Sequence, residues 1–291
     1  MTYLGFLFYF LVVPLIIFLV ITLWHERQRK TVPGFQNGRP VWMAIVLQIL
    51  LAVVYTTPWD NYLVATGVWY YNPKLISGLV LGWVPIEEYT FFVLETILTG
   101  VWWWFLAARL IPAEEFRPRR SMRIVLPATL GILWLVSLYI LLSGWKPGTY
   151  LSLTFAWALP AIVGQLAFGA DILWHFRKLV ATAILPIFLY LSVADLLAIS
   201  SGIWTIDATQ STGIFIGTLP MEEAIFFLAT VMLISFGLTL TLAYDGQARW
   251  MAWVPKILGR AAMRRYSREQ IGVAIPQNER AQVKPDHNQL F

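Results

Sequence analysis

Long apolar runs separated by short polar segments fill the chain as far as residue 245. Crossing a membrane core of about 30 Å takes about 20 helical residues. Seven runs come near or exceed that length: Tyr3 to Trp24, Val41 to Thr56, Ser77 to Ala107, Ile124 to Ser143, Tyr150 to Trp174, Leu179 to Ile199 and Gly213 to Tyr244. The second is short, and the third and seventh are long. The pattern predicts an all-α integral membrane protein with about seven transmembrane helices. Composition agrees, since 58% of the 291 residues are hydrophobic and 13% charged, a balance far from that of a soluble domain.

Charge then orients the helices. No basic residue precedes the first run, and His25, Arg27, Arg29 and Lys30 follow it, which reads as an uncleaved anchor rather than a secretory signal. Segments after the first, third and fifth runs, together with the tail, carry 4, 5, 2 and 8 Lys or Arg residues; the opposite side has Lys74 and Lys146. The positive-inside rule therefore predicts a multi-pass cell-membrane protein with its amino terminus outside and its carboxyl terminus cytoplasmic. A net charge of +5 and a pI near 9.5 also occur in nucleic-acid-binding proteins, but here the basic residues are confined to loops and tail, so no nucleic-acid partner is expected. The chain has no cysteine, and His25, His175 and His287 sit in separate polar segments, so no metal cluster is expected.

The chain also repeats itself. Asp60 to Phe92 aligns without a gap on Asp195 to Phe227 at a constant offset of 135 residues, and 10 of the 33 aligned positions are identical. Apolar bias does not pair Asp60 with Asp195, Pro85 with Pro220, or Glu87 and Glu88 with Glu222 and Glu223. The reading is two three-helix repeats, residues 1–108 and 150–245, joined by a connector helix with its loops at 109–149 and followed by a basic tail at 246–291. A single connector helix makes both copies cross in the same direction, so the repeats are parallel and their acidic positions share one depth. Six carboxylates are expected near one pseudo-twofold axis.

Those carboxylates carry the candidate chemistry. Glu87 and Glu88 follow Gly-Trp-Val-Pro-Ile, and Glu222 and Glu223 follow Gly-Thr-Leu-Pro-Met, each pair ahead of a phenylalanine-rich apolar stretch. An acid near the middle of a membrane helix costs about 2.5 to 3.5 kcal/mol, so such residues face a bundle interior or a cavity. Neighbouring glutamates there cannot both ionise cheaply, and a neutral carboxylic acid at pH 7 is expected. The structural alternative is that Pro85 and Pro220 start or kink helices while the glutamates satisfy free backbone amides. Successive helical residues point about 100° apart, so one glutamate of each pair should face a substrate and its neighbour support it. The faces of Trp69, Phe91, Phe92, Trp204, Phe226 and Phe227 are candidates for binding a substrate and steadying a cation; ordinary packing is the competing role for such aromatics.

The doubled Pro-x-Glu-Glu-x-x-Phe-Phe motif resembles that of the non-flavin lycopene cyclases, as do Thr-Pro-Trp-Asp-Asn-Tyr at 57–62 and Gly-Val-Trp-Tyr at 67–70. That family occurs as two small subunits or one fused chain. The resemblance covers both repeats, with one departure: Ser-Val-Ala-Asp at 192–195 replaces Thr-Pro-Trp-Asp. It implies a redox-neutral isomerase without a cofactor, which adds a proton to a linear end of lycopene, lets an internal double bond attack the cation, and removes a proton to leave a β-ring (γ-carotene, then β-carotene). It implies catalytic roles for Glu87, Glu88, Glu222, Glu223, Asp60 and Asp195, a lipophilic carotenoid substrate, membrane lipid as surroundings, and other carotenoid-pathway enzymes as partners. A relative that makes another ring type or takes a prenyl-extended C50 substrate fits the same motifs. From another class, a proton-coupled transporter also fits buried carboxylates in repeated helices. A glutamate-dependent membrane protease lacks its partner Arg and His in the third and seventh runs, and a prenyltransferase lacks its aspartate-rich magnesium clusters.

Two peripheral features read as anchors. Trp102, Trp103 and Trp104 near Arg109 suggest an interfacial aromatic belt. From Arg249 to Arg268, apolar and basic residues recur at helical spacing, as in an amphipathic helix on an anionic surface, with a polar, disordered tail beyond.

Overall fold

The computed structural model describes residues 1–26, 41–110, 112 and 115–253. Seven helices among them are long and apolar enough to cross a membrane. Helix α1 consists of α-helical stretches Tyr3–Leu7 and Val13–Glu26 joined by a π-helical turn, Phe8–Val12. The others are α2 (Val41–Ala65), α3 (Ile86–Ala107), α4 (Met122–Leu142), α5 (Thr149–His175), α6 (Arg177–Ser200) and α7 (Met221–Leu242). Helices α3 and α7 are the most buried and form the centre of the bundle, whereas α4 packs on α5 and leaves nearly all its surface outward. Residues up to Gly246 form one compact unit, and Gln247 begins a second. Most of the expected amphipathic helix and all of the expected disordered tail lie outside the described residues.

Three helix boundaries differ from expectation. The second run does not stop at Thr56: α2 continues through Pro58 to Ala65, so Asp60 lies inside a helix. A proline removes one donor, and membrane helices accommodate that loss. The third run does not begin helix at Ser77, nor the seventh at Gly213. Each opens instead with a two-stranded hairpin, β2 (Val80–Leu81) with β3 (Val84–Pro85), and β5 (Phe215–Ile216) with β6 (Leu219–Pro220). Hydropathy alone does not distinguish such strands from helix. Gly82 and Gly217 take positive φ (70° and 68°) in the first position of their two-residue turns, the conformation glycine adopts most freely. Pro85 and Pro220 then cap the helices with extended backbone.

The equivalences at 135 residues persist in three dimensions. Strand β1 (Trp69–Tyr71) pairs antiparallel with β4 (Trp204–Ile206), and Tyr70 lies opposite its own equivalent, Thr205. On either side of this pair, the Asn72 N–H donates to the Ile203 carbonyl and the Asp207 N–H to the Val68 carbonyl, both at 2.9 Å. These are again the same contact seen from the two repeats. The expected aromatic belt needs correction at one position: Trp103 is buried and donates its indole N–H to the Thr239 hydroxyl at 2.9 Å.

Candidate active site

Asp60 and Asp195 each stand five residues before the end of their helix. Glu87 and Glu88 occupy the first turn of α3, and Glu222 and Glu223 that of α7, where the helix dipole favours carboxylates. All six are buried.

The two members of each glutamate pair have different partners. Oε1 of Glu87 accepts the backbone N–H of Ser77 at 2.5 Å. Oε1 of Glu222 accepts the N–H and the hydroxyl of Thr212, both at 2.7 Å, and the Ser211 hydroxyl at 3.2 Å. Thr212 is the equivalent of Ser77, so the first glutamate of each pair fastens the loop ahead of its hairpin. The second glutamate lines a slot between the repeats. Oε2 of Glu88 accepts the phenol hydroxyls of Tyr3 at 2.6 Å and Tyr71 at 3.0 Å. Oε1 of Glu223 accepts that of Tyr150 at 2.9 Å. Burial first, and then the carboxylates Asp60 and Glu88, hold the phenol of Tyr71 well above its usual pKa, which keeps it a neutral donor.

The slot is about 20 Å³, room for about one water molecule. Glu88, Glu223 and Asp195 line it together with Trp69, Phe91, Trp204, Phe226 and Phe227, and the lining contains no basic side chain. Asp60 lies just behind it; both aspartates are within electrostatic reach of Glu88 and Glu223. The two aspartates differ in support. Oδ1 of Asp195 accepts the indole N–H of Trp204 at 2.9 Å. Neither oxygen of Asp60 has a hydrogen-bond partner among the described residues, and the indole nitrogen of the equivalent Trp69 sits beside Glu223 and Tyr150 instead.

Next to the slot, a cavity of about 220 Å³ lies among α2, α3, α5 and α7. Phe226 lines both spaces, and Phe92 and Trp157 line the larger one. Trp59 stacks on Trp157 and Phe226, with ring centroids 4.7 and 5.5 Å apart, and makes this wall stiff and apolar. One carboxylate faces the cavity: Glu95, buried on α3 and bonded through Oε1 to the Thr230 hydroxyl at 2.6 Å.

The structure thus brings Glu88, Glu223, Asp60 and Asp195 together, directs Oε1 of Glu87 and Glu222 to the loops, and places all six singled-out aromatics on the slot or the cavity. Sequence reasoning missed Tyr3, Tyr71, Tyr150 and Glu95. A signal for the first and third was present, since the first apolar run of each repeat opens with a tyrosine. They are 147 residues apart rather than 135, so an ungapped comparison does not pair them. Both nonetheless dock alike: the Tyr3 N–H donates to the Leu75 carbonyl, and the Tyr150 N–H to that of Gln210, the equivalent of Leu75.

Comparison with known proteins followed the same outline. The family model for lycopene cyclase matches residues 1–105 and 147–241, which leaves out the connector. A lycopene beta-cyclase of Halobacterium salinarum is 42% identical over 192 residues, 66% of this chain and 79% of that protein. Bifunctional lycopene cyclase/phytoene synthases of Podospora anserina and Aspergillus niger are 36% and 32% identical over 200 and 201 residues. Those matches cover 65% and 67% of this chain but 33% and 34% of the fungal proteins, about a third of their length. No solved structure matches the chain.

Proposed function

Because the chain belongs to the lycopene cyclase family and is a membrane lycopene cyclase of carotenoid biosynthesis, we propose that it closes linear ends of lycopene into β-rings at one composite site between its repeats. The observation that carries this reading is the convergence of Glu88, Glu223, Asp60 and Asp195 on a slot walled by aromatics, beside a cavity large enough for a hydrocarbon end.

Cyclisation needs a proton delivered to a carbon double bond, shelter for the cation that results, and removal of a proton. Glu223 is the general acid. Its Oε1 takes one phenol hydroxyl, with the Trp69 indole beside it, whereas Oε2 of Glu88 sits where two phenol hydroxyls can donate at once. The fuller donor set matches a carboxylate, and the sparser one a carboxylic acid with a proton to give. Glu88, with Asp195 beside it on the slot and Asp60 within electrostatic reach, supplies the negative charge that steadies the cation. Phe226, Phe227 and Phe91 on α7 and α3, Trp69 and Trp204 on the strands, and Phe92 on the cavity side exclude water and present ring faces to the charge. Glu87 and Glu222 hold the loops that carry the strands over the slot.

Residues 1–108 and 150–245 act as parallel repeats around this site, with 109–149 as connector. Lys and Arg placement supports an outer amino terminus and a cytoplasmic carboxyl terminus. With the acids at one depth, the two ends of a long polyene react in separate visits, and a one-ringed intermediate appears first. Expression in lycopene-accumulating cells tests the reading: ringed pigment with a transient one-ringed species is expected. The purified protein should perform the same conversion without an ion gradient. Lycopene left linear in both settings refutes it, and conversion that strictly requires a gradient favours transport coupling instead.

A further inference from the structure

Building on that reading, we propose that Glu95 is the catalytic base that removes the final proton, and that its position selects which ring type forms. Glu95 lies seven residues beyond Glu88 on α3, two helical turns on the same face and about 10 Å deeper. Its equivalent in the second repeat is Thr230, and the two touch across the pseudo-twofold axis at 2.6 Å. A carboxyl at that depth is costly where a leucine would be free, and such a residue is retained for a function.

Space decides where the ring closes. The slot beside Glu88 and Glu223 holds about one water molecule at roughly 20 Å³, too little for a six-membered ring with its methyl groups. The adjoining cavity of about 220 Å³ accommodates one, and Glu95 is the sole carboxylate in its lining. Phe226 lines both spaces, so they adjoin at its ring. The reacting end therefore lies in the cavity, with the acid cluster towards the hairpins and Glu95 on the deeper side.

The hydrogen bonding of Glu95 suits a group that must alternate between two protonation states. Thr230 has one hydroxyl hydrogen and two acceptors within reach, Oε1 of Glu95 at 2.6 Å and the Phe227 carbonyl at 3.1 Å. When Glu95 is ionised, the hydroxyl donates to it. When Glu95 has taken a proton, the carboxyl donates to the Thr230 oxygen and the hydroxyl turns to the Phe227 carbonyl. Neither state leaves a buried group unpaired, so proton uptake avoids the penalty of an orphaned donor or acceptor.

The electrons balance as follows. A proton from the acid forms a C–H bond at the inner carbon of the terminal double bond, which leaves the charge on the outer, dimethyl-bearing carbon, and the next double bond along the chain supplies the pair for the new ring C–C bond to that carbon. The charge then rests on a ring carbon. The Glu95 carboxylate takes a proton from a carbon beside it, and that C–H pair becomes the ring double bond. Several neighbouring carbons carry protons, and the one nearest the base determines whether the double bond is conjugated with the chain, displaced within the ring, or exocyclic.

The experiment is to compare Glu95→Gln and Thr230→Val with the wild type in lycopene-accumulating cells and in liposomes loaded with lycopene, resolving ring isomers by chromatography and absorption. Glu95→Gln is expected to cyclise at least tenfold more slowly and to spread its products over more than one ring type. Thr230→Val, which frees the carboxylate to swing, is expected to shift the isomer ratio in the same direction with a smaller loss of rate. A wild-type isomer ratio and a rate within twofold for Glu95→Gln overturn the proposal. If Glu95→Gln makes no product, Thr230→Val decides: a shifted ratio supports the proposal and an unchanged one overturns it. Glu223→Gln in the same assay reports on the acid alone, so either assignment can fail while the other stands.

Discussion

The two repeats carry the same Pro-x-Glu-Glu motif and treat it differently. In the first, Glu88 is gripped by two phenols and its aspartate partner, Asp60, has no hydrogen-bond donor among the described residues. In the second, Glu223 has one phenol at its Oε1, and Asp195 takes an indole N–H. The first glutamates differ in the opposite sense, with one donor on Glu87 and three on Glu222. One motif thus sits in two different surroundings, and the proposed mechanism uses one copy as the anion and the other as the proton donor. Pairs of titratable groups in unlike settings are how one site performs both acid and base steps.

The largest effect should come from exchanging that difference at the acids themselves. Glu223→Gln removes the proton donor and is expected to slow cyclisation about 10² to 10⁴-fold. Glu88→Gln removes the steadying charge and should cost less, about 10²-fold. Turnover on lycopene in liposomes measures both, and equal losses would erase the distinction between the repeats. Next come the phenols. Tyr150→Phe leaves Glu223 without its phenol and is expected to reduce turnover about tenfold, whereas Tyr71→Phe leaves Tyr3 on Glu88 and should cost about threefold or less. A larger loss at Tyr71 than at Tyr150 would reverse the assignment of acid and anion. The smallest effect concerns the loop anchors, read as stability rather than rate. Glu222→Gln disturbs three donors and should lower the thermal midpoint in detergent by the equivalent of about 1 to 3 kcal/mol. Glu87→Gln, with one donor to lose, should lower it less.

Much of this architecture was legible in the sequence, and the parts that were not have physical causes. Seven helices follow from apolar length, and the convergence of acids between repeats follows from the 135-residue echo. The hairpins stayed hidden because residues such as Leu79, Val80, Leu81 and Trp83 are as apolar as the helix they precede, and only the positive φ at Gly82 shows the turn. Asp60 proved to be inside α2 because a membrane helix runs through Pro58 where a rule learned from soluble helices would stop. Which glutamate faces the slot depends on where helix α3 begins, and the structure shows that Pro85, the first residue of the motif, is its cap. Glu95 went unnoticed because its equivalent is Thr230: a search for identical positions passes over two unlike residues that meet at the axis.

Where β1 pairs with β4, Tyr70 faces Thr205, its own counterpart 135 residues on, and the contacts on either side exchange roles across that point. Equivalent residues meeting head-on are the mark of a self-complementary interface. Within this chain the two repeats therefore meet at their strands as the halves of a two-fold dimer do, with a covalent connector between them.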